Sequence, residues 1–269
     1  MGSRKNGAFL AVVAAFGVAI FFVPYKAAGE VAPYGSVVLA MLLIGAVLST
    51  ASAKTESSMS FRGATEIKTS VGFAVLTIGG NLATQLALQR ISPGLLSMLQ
   101  QTQILIVAAI AVAFLGERPR LGFWLGLVLA MGGVLLLRMP NVENPRANME
   151  GIALGLGSSV CFALMHVYTR KVIHEIRPSR VNANRLWLSV LVLVCVPGFA
   201  KGLGDLGLYG WGLCALAAFL GPFGARVLTM HALRFIPAAE ASLYTLITPV
   251  FAYVLGFAFF AQIPGLHEV

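Results

Sequence analysis

The chain has 269 residues, of which 58% are hydrophobic and only 11% are charged. A soluble domain of this length carries about 25% charged residues, so the chain has too few charges to build a water-exposed surface. Its apolar stretches are continuous and roughly 17–24 residues long, which suits membrane helices better than the alternating strands of a barrel. Because only helices and closed barrels satisfy their backbone groups in lipid, the sequence predicts an all-α integral membrane protein.

The net charge of +9 comes from short clusters of Lys and Arg between the apolar runs. That distribution is typical of membrane topology signals and does not favour a nucleic-acid partner. Cys161, Cys195 and Cys214 lie inside apolar runs without metal-ligand spacing, so we predict neither a metal site nor a cofactor. Arg4 and Lys5 precede an apolar run that has no small-residue cleavage site after it, which indicates a retained first helix.

Nine apolar spans follow one another, joined by short links that leave no room for a soluble domain. In chain order they are 8–25, 33–49, 70–89, 93–114, 121–138, 151–170, 182–199, 209–233 and 238–261. With a cytoplasmic N-terminus, about twelve Lys and Arg residues fall in inside segments and about five in outside segments. The positive-inside rule favours that orientation, so we expect a multi-pass protein of the inner cell membrane with its N-terminus in the cytoplasm.

The sequence repeats itself after about 145 residues. A gapless shift of 145 matches, among other pairs, Gly79 with Gly224, Thr84 with Thr229, Ile91 with Ile236 and Pro119 with Pro264. A shift of 144 aligns span 1, from Gly7, with span 6, from Gly151, and places Lys26 on Arg170. The repeat unit is therefore five helices, with residues 1–140 forming the first half and residues 141–269 the second.

An odd number of helices places the second half upside down relative to the first, and inverted repeats are typical of secondary transporters. The predicted fold is thus a ten-helix transporter architecture built from inverted five-helix repeats. Span 5, starting at Leu121, should have a partner starting near Leu266. Because the chain ends at Val269, the tenth helix is expected to be missing.

Several motifs resemble those of a known family. Residues 91–137 combine a small-residue helix ending in FLGERP (114–119) with a glycine-rich helix, and the segments CFALMHVYTRK (161–171) and TPVFA (248–252) belong to the second half. These segments resemble the EamA-type permeases of the drug/metabolite transporter superfamily. The resemblance implies ten spans, cytoplasmic termini and solute export or exchange. The chain departs from the pattern at residues 261–262, where Ala-Gln stands in place of the family's Gly-Glu pair.

Polar side chains inside the spans are the candidate binding residues. Span 4 carries Ser97, Gln100 and Gln103, three residues apart and so on one helical stripe. The repeat shift places this trio on a polar stripe of span 9, formed by Ser242, Thr245 and Thr248. We predict that the two stripes line one central cavity; the alternative is that they only form hydrogen bonds between helices.

Span 3 adds Asn81, Gln85 and Gln89 on one face, and the repeat equivalent of Asn81 in span 8 is Arg226. An arginine near the bilayer centre costs at least ~2.5–3.5 kcal/mol and usually faces a cavity, although it can also extend to the headgroups. His166 in span 6 is interpreted either as a cavity residue that responds to protons or as a hydrogen-bonded core histidine.

Four other residues have simpler interpretations. Arg185, near the start of span 7, is interpreted as a topology anchor, and Glu240 as a partner of the helix dipole at the start of span 9. Pro222 and Pro249 should each break a helical hydrogen-bond ladder, since proline has no N–H to donate. A break of this kind at the midplane can expose backbone groups to a substrate.

The leading hypothesis is a secondary transporter of a small polar metabolite, amino-acid-like or carboxylate-bearing, that works by alternating access. No catalytic motif is present, so we do not predict an enzyme. A non-transporting membrane scaffold of the same fold is the alternative. The expected partners are the lipid bilayer and the solute, while coupling to protons or to a counter-substrate and the formation of a homodimer are left open.

Overall fold

The protein is a bundle of α-helices. The computed structural model describes residues 2–54, 63–115 and 145–248, together with residues 124, 125, 128 and 251, and these contain no strand. The helices are α1 (Gly2–Val31), α2 (Tyr34–Ala53), α3 (Gly63–Leu88), α4 (Pro93–Gln100), α5 (Thr102–Leu115), α6 (Pro145–Val172), α7 (Pro178–Val194), α8 (Gly207–Ala218), α9 (Arg226–Ala232) and α10 (Ala238–Tyr244). A 3-10 helix, Lys201–Leu206, precedes α8, and a π-helical segment, Phe219–Ala225, joins α8 to α9. The predicted all-α fold is confirmed.

Six helical stretches of the described chain are long and apolar enough to cross a bilayer, which confirms an integral membrane protein. They are Arg4–Val31, Tyr34–Ala53, Glu66–Leu88, Pro93–Phe114, Asn148–Val172 and Lys201–Ala232. Helix α1 is longer than the predicted span 8–25 because Lys5, Lys26 and Glu30, which we had assigned to links, continue the helix at its two ends. Most of the predicted span 5, half of span 9, Glu117 of the FLGERP segment, Pro249 and residues 261–262 lie outside the described residues.

Spans 4 and 9 are interrupted at equivalent positions. Span 4 breaks at Gln101, whose N–H bonds to the carbonyl of Met98 at 2.9 Å. Span 9 breaks at Thr245 and Leu246, and the N–H of Thr245 bonds to the carbonyl of Ser242 at 3.1 Å. Both turns use the tighter three-residue spacing of a 3-10 helix, so the two polar stripes are interrupted by the same type of turn at repeat-related positions.

The contacts between helices are consistent with the repeat, because exchanging the two halves reproduces the same set of contacts. Helix α3 packs on α6 and α7, while α8, α9 and the π-helical segment pack on α1, and α8 also packs on α2. Helix α2 packs on α7, and α5 packs on α10. Because the repeat shift converts spans 1–4 into spans 6–9, each of these contacts maps onto another contact or onto itself.

Two glycines allow close approaches at the starts of α1 and α6. A Cβ atom at Gly7 would lie 2.8 Å from Cβ of Phe235 and 3.0 Å from Cγ2 of Ile236. A Cβ atom at Gly151 would lie 2.7 Å from Cγ2 of Ile91. The repeat shifts carry Gly7 onto Gly151 and Ile91 onto Ile236, so the same glycine–isoleucine contact joins the two halves twice.

The two ends of the bundle are called here the N-terminal face, where α1 begins, and the far face, where α1 ends. On the N-terminal face, Nη2 of Arg4 lies 2.7 Å from Oε2 of Glu240. On the far face, Nε of Arg90 lies 3.1 Å from Oε2 of Glu150. Glu240, which we had expected to complement a helix dipole, therefore also binds a cation of α1. Exposed pairs of this kind contribute little stability, but they fix which helix ends are neighbours.

Candidate functional site

A central cavity of about 140 Å³ lies where both halves of the bundle meet. Side chains from α1, α3, α6 and α7, from the breaks of spans 4 and 9, and from the π-helical segment with α9 surround it. Its polar lining residues are Asn81, Gln100, Gln101, Gln103, His166, Arg185, Arg226, Thr229, Thr245 and Thr248. Seven of these belong to the ten predicted site residues: Asn81, Gln100, Gln103, His166, Arg226, Thr245 and Thr248.

Arg185 is buried in the cavity wall, with 2% of its surface exposed. Its Nε donates to Oδ1 of Asn182 at 2.8 Å, its Nη2 donates to the carbonyl of Pro222 at 3.0 Å, and its Nη1 donates to Oγ1 of Thr77. All three acceptors are neutral groups. The three hydrogen bonds therefore fix the orientation of the guanidinium, but no carboxylate compensates its positive charge within the described structure.

The π-helical segment explains where these acceptors come from. Pro222 has no N–H, so it cannot bond to the carbonyl four residues earlier, and the helix widens at residues 219–225. Both Nη2 of Arg185 and Nδ2 of Asn182 donate to the carbonyl of Pro222, each at 3.0 Å. The wide turn thus exposes a backbone acceptor toward α7, as expected for a broken helix at a site.

Arg226 is the second guanidinium of the cavity. Its Nη2 donates to Oγ1 of Thr169 at 2.7 Å and to the carbonyl of Met165 at 3.2 Å, and its Cζ lies 5.4 Å from the ring centroid of Phe73. Its Nε is buried and has no hydrogen-bond partner among the described residues. Arg226 therefore does not extend to the headgroups but turns inward, with one donor left unused.

His166 adds a second unused polar atom. The side chain is 7% exposed and lines the cavity, and its Nε2 is buried with no hydrogen-bond partner in the part of the chain that the structure describes. A buried polar atom without a partner costs about 1–3 kcal/mol. Together with Nε of Arg226, it gives the cavity two polar atoms that are unsatisfied within the described structure and that a solute or water could satisfy.

The amide and hydroxyl groups of the two broken spans form the remaining wall. Nε2 of Gln100 donates to Oγ of Ser158 at 3.2 Å and to Oγ1 of Thr84 at 3.4 Å. Oγ1 of Thr245 donates to the carbonyl of Ser242 at 2.6 Å and lies 3.5 Å from Oε1 of Gln101, so span 9 and span 4 approach each other across the cavity. These bonds position the polar groups while leaving the interior apolar enough to strengthen charge interactions.

Three of the predicted site residues lie elsewhere. Oγ of Ser97 donates to the carbonyl of Gly94 at 2.7 Å, and Oγ of Ser242 donates to the carbonyl of Ala239 at 2.8 Å. Both serines are fully buried, and each bonds to the carbonyl three residues earlier in its own helix, a common local bond of serine in helices. Gln85 lines a separate cavity at the far face.

The described residues contain no group of three or more His, Cys, Asp or Glu side chains arranged to hold a metal ion. The described lining of the central cavity also contains no carboxylate. The cavity therefore combines two positive charges, amides, hydroxyls and one imidazole. This combination can bind an anionic group and form hydrogen bonds to its neighbours.

Comparison with known proteins covers nearly the whole chain. The EamA-like transporter family matches residues 5–139 and 149–269. The chain belongs to the EamA-like transporter family. The two matched stretches begin 144 residues apart, which is the shift that aligns span 1 with span 6. Family membership agrees with the resemblance found in the sequence motifs.

Curated relatives are named as transporters. An uncharacterized transporter of Archaeoglobus fulgidus is 27% identical over 184 residues, 66% of this chain and 63% of the relative. The uncharacterized transporter YwfM of Bacillus subtilis is 25% identical over 158 residues, 59% of this chain and 53% of the relative. The chain thus spans less than two thirds of the curated relatives it matches. A protein crystal structure superposes with a TM-score of 0.73 and 15% identity over 96% of this chain and 91% of that chain, which shows the fold.

In this EamA-family protein, sequence reasoning missed Arg185 as a cavity residue. We had placed the start of span 7 at residue 182, which put Arg185 near a membrane surface. Helix α7 begins at Pro178, so Arg185 lies two turns inside. Pro178 directly after Arg177 was the usable signal, because proline is favoured at the first position of a helix. Gln101 also lines the cavity, and only the break of span 4 at that residue brings it there.

Proposed function

We propose that this EamA-family protein is a secondary transporter of a small polar metabolite that carries an anionic group. The observation that carries the proposal is the pair of guanidiniums, Arg185 and Arg226, in one central cavity without a carboxylate among its described lining. A buried charge is expensive, and a carboxylate would compensate both guanidiniums with charge-assisted hydrogen bonds. The volume of about 140 Å³ suits an amino-acid-sized solute and is small beside the roughly 300–1,000 Å³ of drug-sized sites.

We also propose that the halves 1–140 and 141–269 are inverted repeats that work by alternating access. Three features support this proposal: the exchangeable helix contacts, the paired breaks of spans 4 and 9, and the paired contacts of Gly7 and Gly151. A cavity lined by both halves lies where two such repeats would move against each other. The energy would then come from a solute gradient, a proton or a counter-substrate, since the chain has no phosphate-binding loop.

The proposed orientation places the N-terminal face in the cytoplasm. Arg170, Lys171, Arg177, Arg180 and Arg234 all lie on that face, near the end of α6, the start of α7 and the end of α9. A cluster of this kind favours the cytoplasmic side of an inner membrane. Antibody or protease access to a tag at residue 1 in intact cells checks this orientation.

Uptake into liposomes tests the transport proposal. Purified protein is reconstituted into liposomes that are loaded with L-lactate, L-alanine, inorganic phosphate or choline. The exchange of the internal solute with the same radiolabelled solute outside is then measured. We expect exchange of a carboxylate and none of choline, because two fixed guanidiniums repel a quaternary cation. Exchange of choline in preference to every anion would overturn the substrate class, and no exchange of any solute would favour the scaffold alternative.

A further inference from the structure

A second and larger cavity, of about 570 Å³, lies at the far face, where α1 and α3 end and the chain turns into α4. It is separate from the central cavity. Its lining residues include Lys26, Gly29, Glu30, Gln85, Gln89 and Arg90. The polar part of this lining has the features of a binding site of its own.

The carboxamide of Gln85 is the clearest of these features. The side chain is fully buried, and within the described ranges neither Nε2 nor Oε1 has a hydrogen-bond partner. Gly29 provides the space for it, because a Cβ atom at that position would overlap Nε2 of Gln85. An unsatisfied donor and an unsatisfied acceptor each cost about 1–3 kcal/mol. The Gln85 amide could therefore donate one hydrogen bond to a bound ligand and accept another from it.

The charged side chains of the cavity divide into those that already have a partner and those that do not. Lys26 and Glu30 lie one helical turn apart on α1 and both line the cavity, and no ion pair is found for either within the described residues. Arg90 is already engaged, since its Nε donates to Glu150 and its Nη1 donates to the carbonyl of Leu86 at 3.0 Å. One ammonium, one carboxylate and one unsatisfied amide thus remain for a ligand.

We infer that the far-face cavity is a second binding site, specific for a zwitterionic amino acid. Lys26 and Nε2 of Gln85 bind its carboxylate, while Glu30 and Oε1 of Gln85 bind its ammonium group. A ligand with only one charge would leave either Lys26 or Glu30 unpaired. The inference rests on the proposed transport function and narrows its substrate class from anionic solutes to zwitterionic ones.

The equivalent position on the N-terminal face is filled. The repeat shifts carry Lys26 onto Arg170 and Leu88 onto Leu233, and Nη1 of Arg170 donates to the carbonyl of Leu233 at 2.6 Å. Gln85 falls on Met230, which is fully buried and has no amide to satisfy. The binding groups are therefore particular to the far face. Gln85 and Asn81 of the central cavity are one turn apart on α3, about 6 Å along its axis.

The test counts bound ligand on the whole protein in lipid nanodiscs. The probes are radiolabelled L-alanine, L-lactate, which lacks the ammonium group, and L-alaninamide, which lacks the carboxylate. We expect roughly two molecules of L-alanine to bind per protein, one in each cavity. Only about one molecule of L-lactate should bind, because the central cavity requires only a carboxylate whereas the far-face cavity also requires an ammonium group. Lys26→Gln and Glu30→Gln should each weaken one class of L-alanine sites by about tenfold or more, the range for a lost charge-assisted hydrogen bond.

Matched variants separate the far-face site from general charge effects. Lys201→Gln and Asp205→Asn remove the same charges from exposed positions of the 3-10 helix on the same face, and they should leave both classes of L-alanine sites unchanged. Gly29→Ala should displace the Gln85 amide and weaken the far-face class while the protein stays folded, since the displaced atoms are the end of a flexible side chain.

The outcomes distinguish this inference from the transport proposal. A single class of L-alanine sites, lost in Arg226→Gln and unchanged in Lys26→Gln, Glu30→Gln and Gly29→Ala, would overturn the far-face site and leave the transport proposal standing. Binding of L-lactate without L-alanine would do the same. Loss of the far-face class alone in these three variants, with no L-lactate bound anywhere, would support the far-face site and contradict the anionic central cavity.

Discussion

Nη2 of Arg226 donates a hydrogen bond of 2.7 Å to Oγ1 of Thr169, and this contact has a counterpart in the first half of the chain. The repeat shifts carry Tyr25 onto Thr169 and Asn81 onto Arg226. The hydroxyl of Tyr25 donates to the backbone carbonyl of Asn81 at 3.1 Å. The same helix junction therefore occurs twice, but only the second copy holds a charge, so the two halves contribute unequally to the cavity.

Replacing Arg226 by Gln keeps a hydrogen-bonding side chain and removes the charge. We expect L-lactate to bind about 10-fold to 100-fold more weakly, the range for a charge-assisted hydrogen bond, with normal membrane expression because a neutral amide is cheaper to bury. Equilibrium binding in nanodiscs measures the change. Arg234→Gln is the control, since Arg234 bonds to the carbonyl of Ile176 on the N-terminal face. Equal losses in both variants would refute a specific role for Arg226.

Replacing His166 by Phe keeps an aromatic ring and removes Nε2. Because Nε2 has no partner within the described residues, the melting temperature should stay the same or rise. Affinity for L-alanine should fall roughly threefold to tenfold, the value of one ordinary hydrogen bond. Thermal denaturation and equilibrium binding test the two halves of this prediction, with exposed His174→Phe as the control. A clear drop in melting temperature would show that His166 is a structural core residue instead.

Replacing Arg170 by Ala should shift the balance between the two access states. The variant loses the bond from Arg170 to the carbonyl of Leu233, which joins α6 to the end of α9 on the N-terminal face. Under the proposed alternating access, this face should then open more readily, and the far-face cavity should be open for a smaller share of the time. A Gln89→Cys reporter in a Cys195→Ser background should then react more slowly with a membrane-impermeant maleimide. Lys171→Ala, at the neighbouring exposed position, should leave the labelling rate unchanged. A faster rate in the Arg170 variant would contradict this closure.

Alanine at Gly7 or Gly151 should destabilise the protein to a similar extent. Each added Cβ would enter a contact of 2.7–3.0 Å with Phe235, Ile236 or Ile91, and overpacking of this kind typically costs 1–3 kcal/mol. Gly157→Ala is the matched control, because nothing lies within 4 Å of the added atom and alanine favours a helix. Thermal denaturation in detergent compares the three variants. A stable Gly151→Ala protein would remove this support for the repeat.

Helical spacing was enough to predict several of the side chains that line the central cavity. Gln100, Gln103, Thr245 and Thr248 line the cavity because their positions share a stripe on each broken span. The same spacing placed Ser97 with Gln100, but the stripe does not show that a short hydroxyl bonds to its own backbone. The stripe alone therefore does not decide which of its members reach the cavity.

Other features depend on contacts between distant parts of the chain. Gln85 shares a helical face with Asn81, yet it lines the far-face cavity because Gly29 of α1 leaves room for its amide. The depth of Arg185 followed from where α7 begins, and its charge is held by a carbonyl that only the wide turn at Pro222 exposes. Periodicity within one helix contains no information about such neighbours.

The two uncompensated guanidiniums also bear on the ion gradients of the cell. A transporter dissipates the membrane potential if small cations leak through it together with the solute. At an effective dielectric constant of about 20, a cation 4 Å from one fixed charge is repelled by about 4 kcal/mol, and Arg185 and Arg226 both face the same space. Sodium, potassium and hydronium would therefore be excluded from an empty cavity, and the protein could change its access state without discharging the membrane.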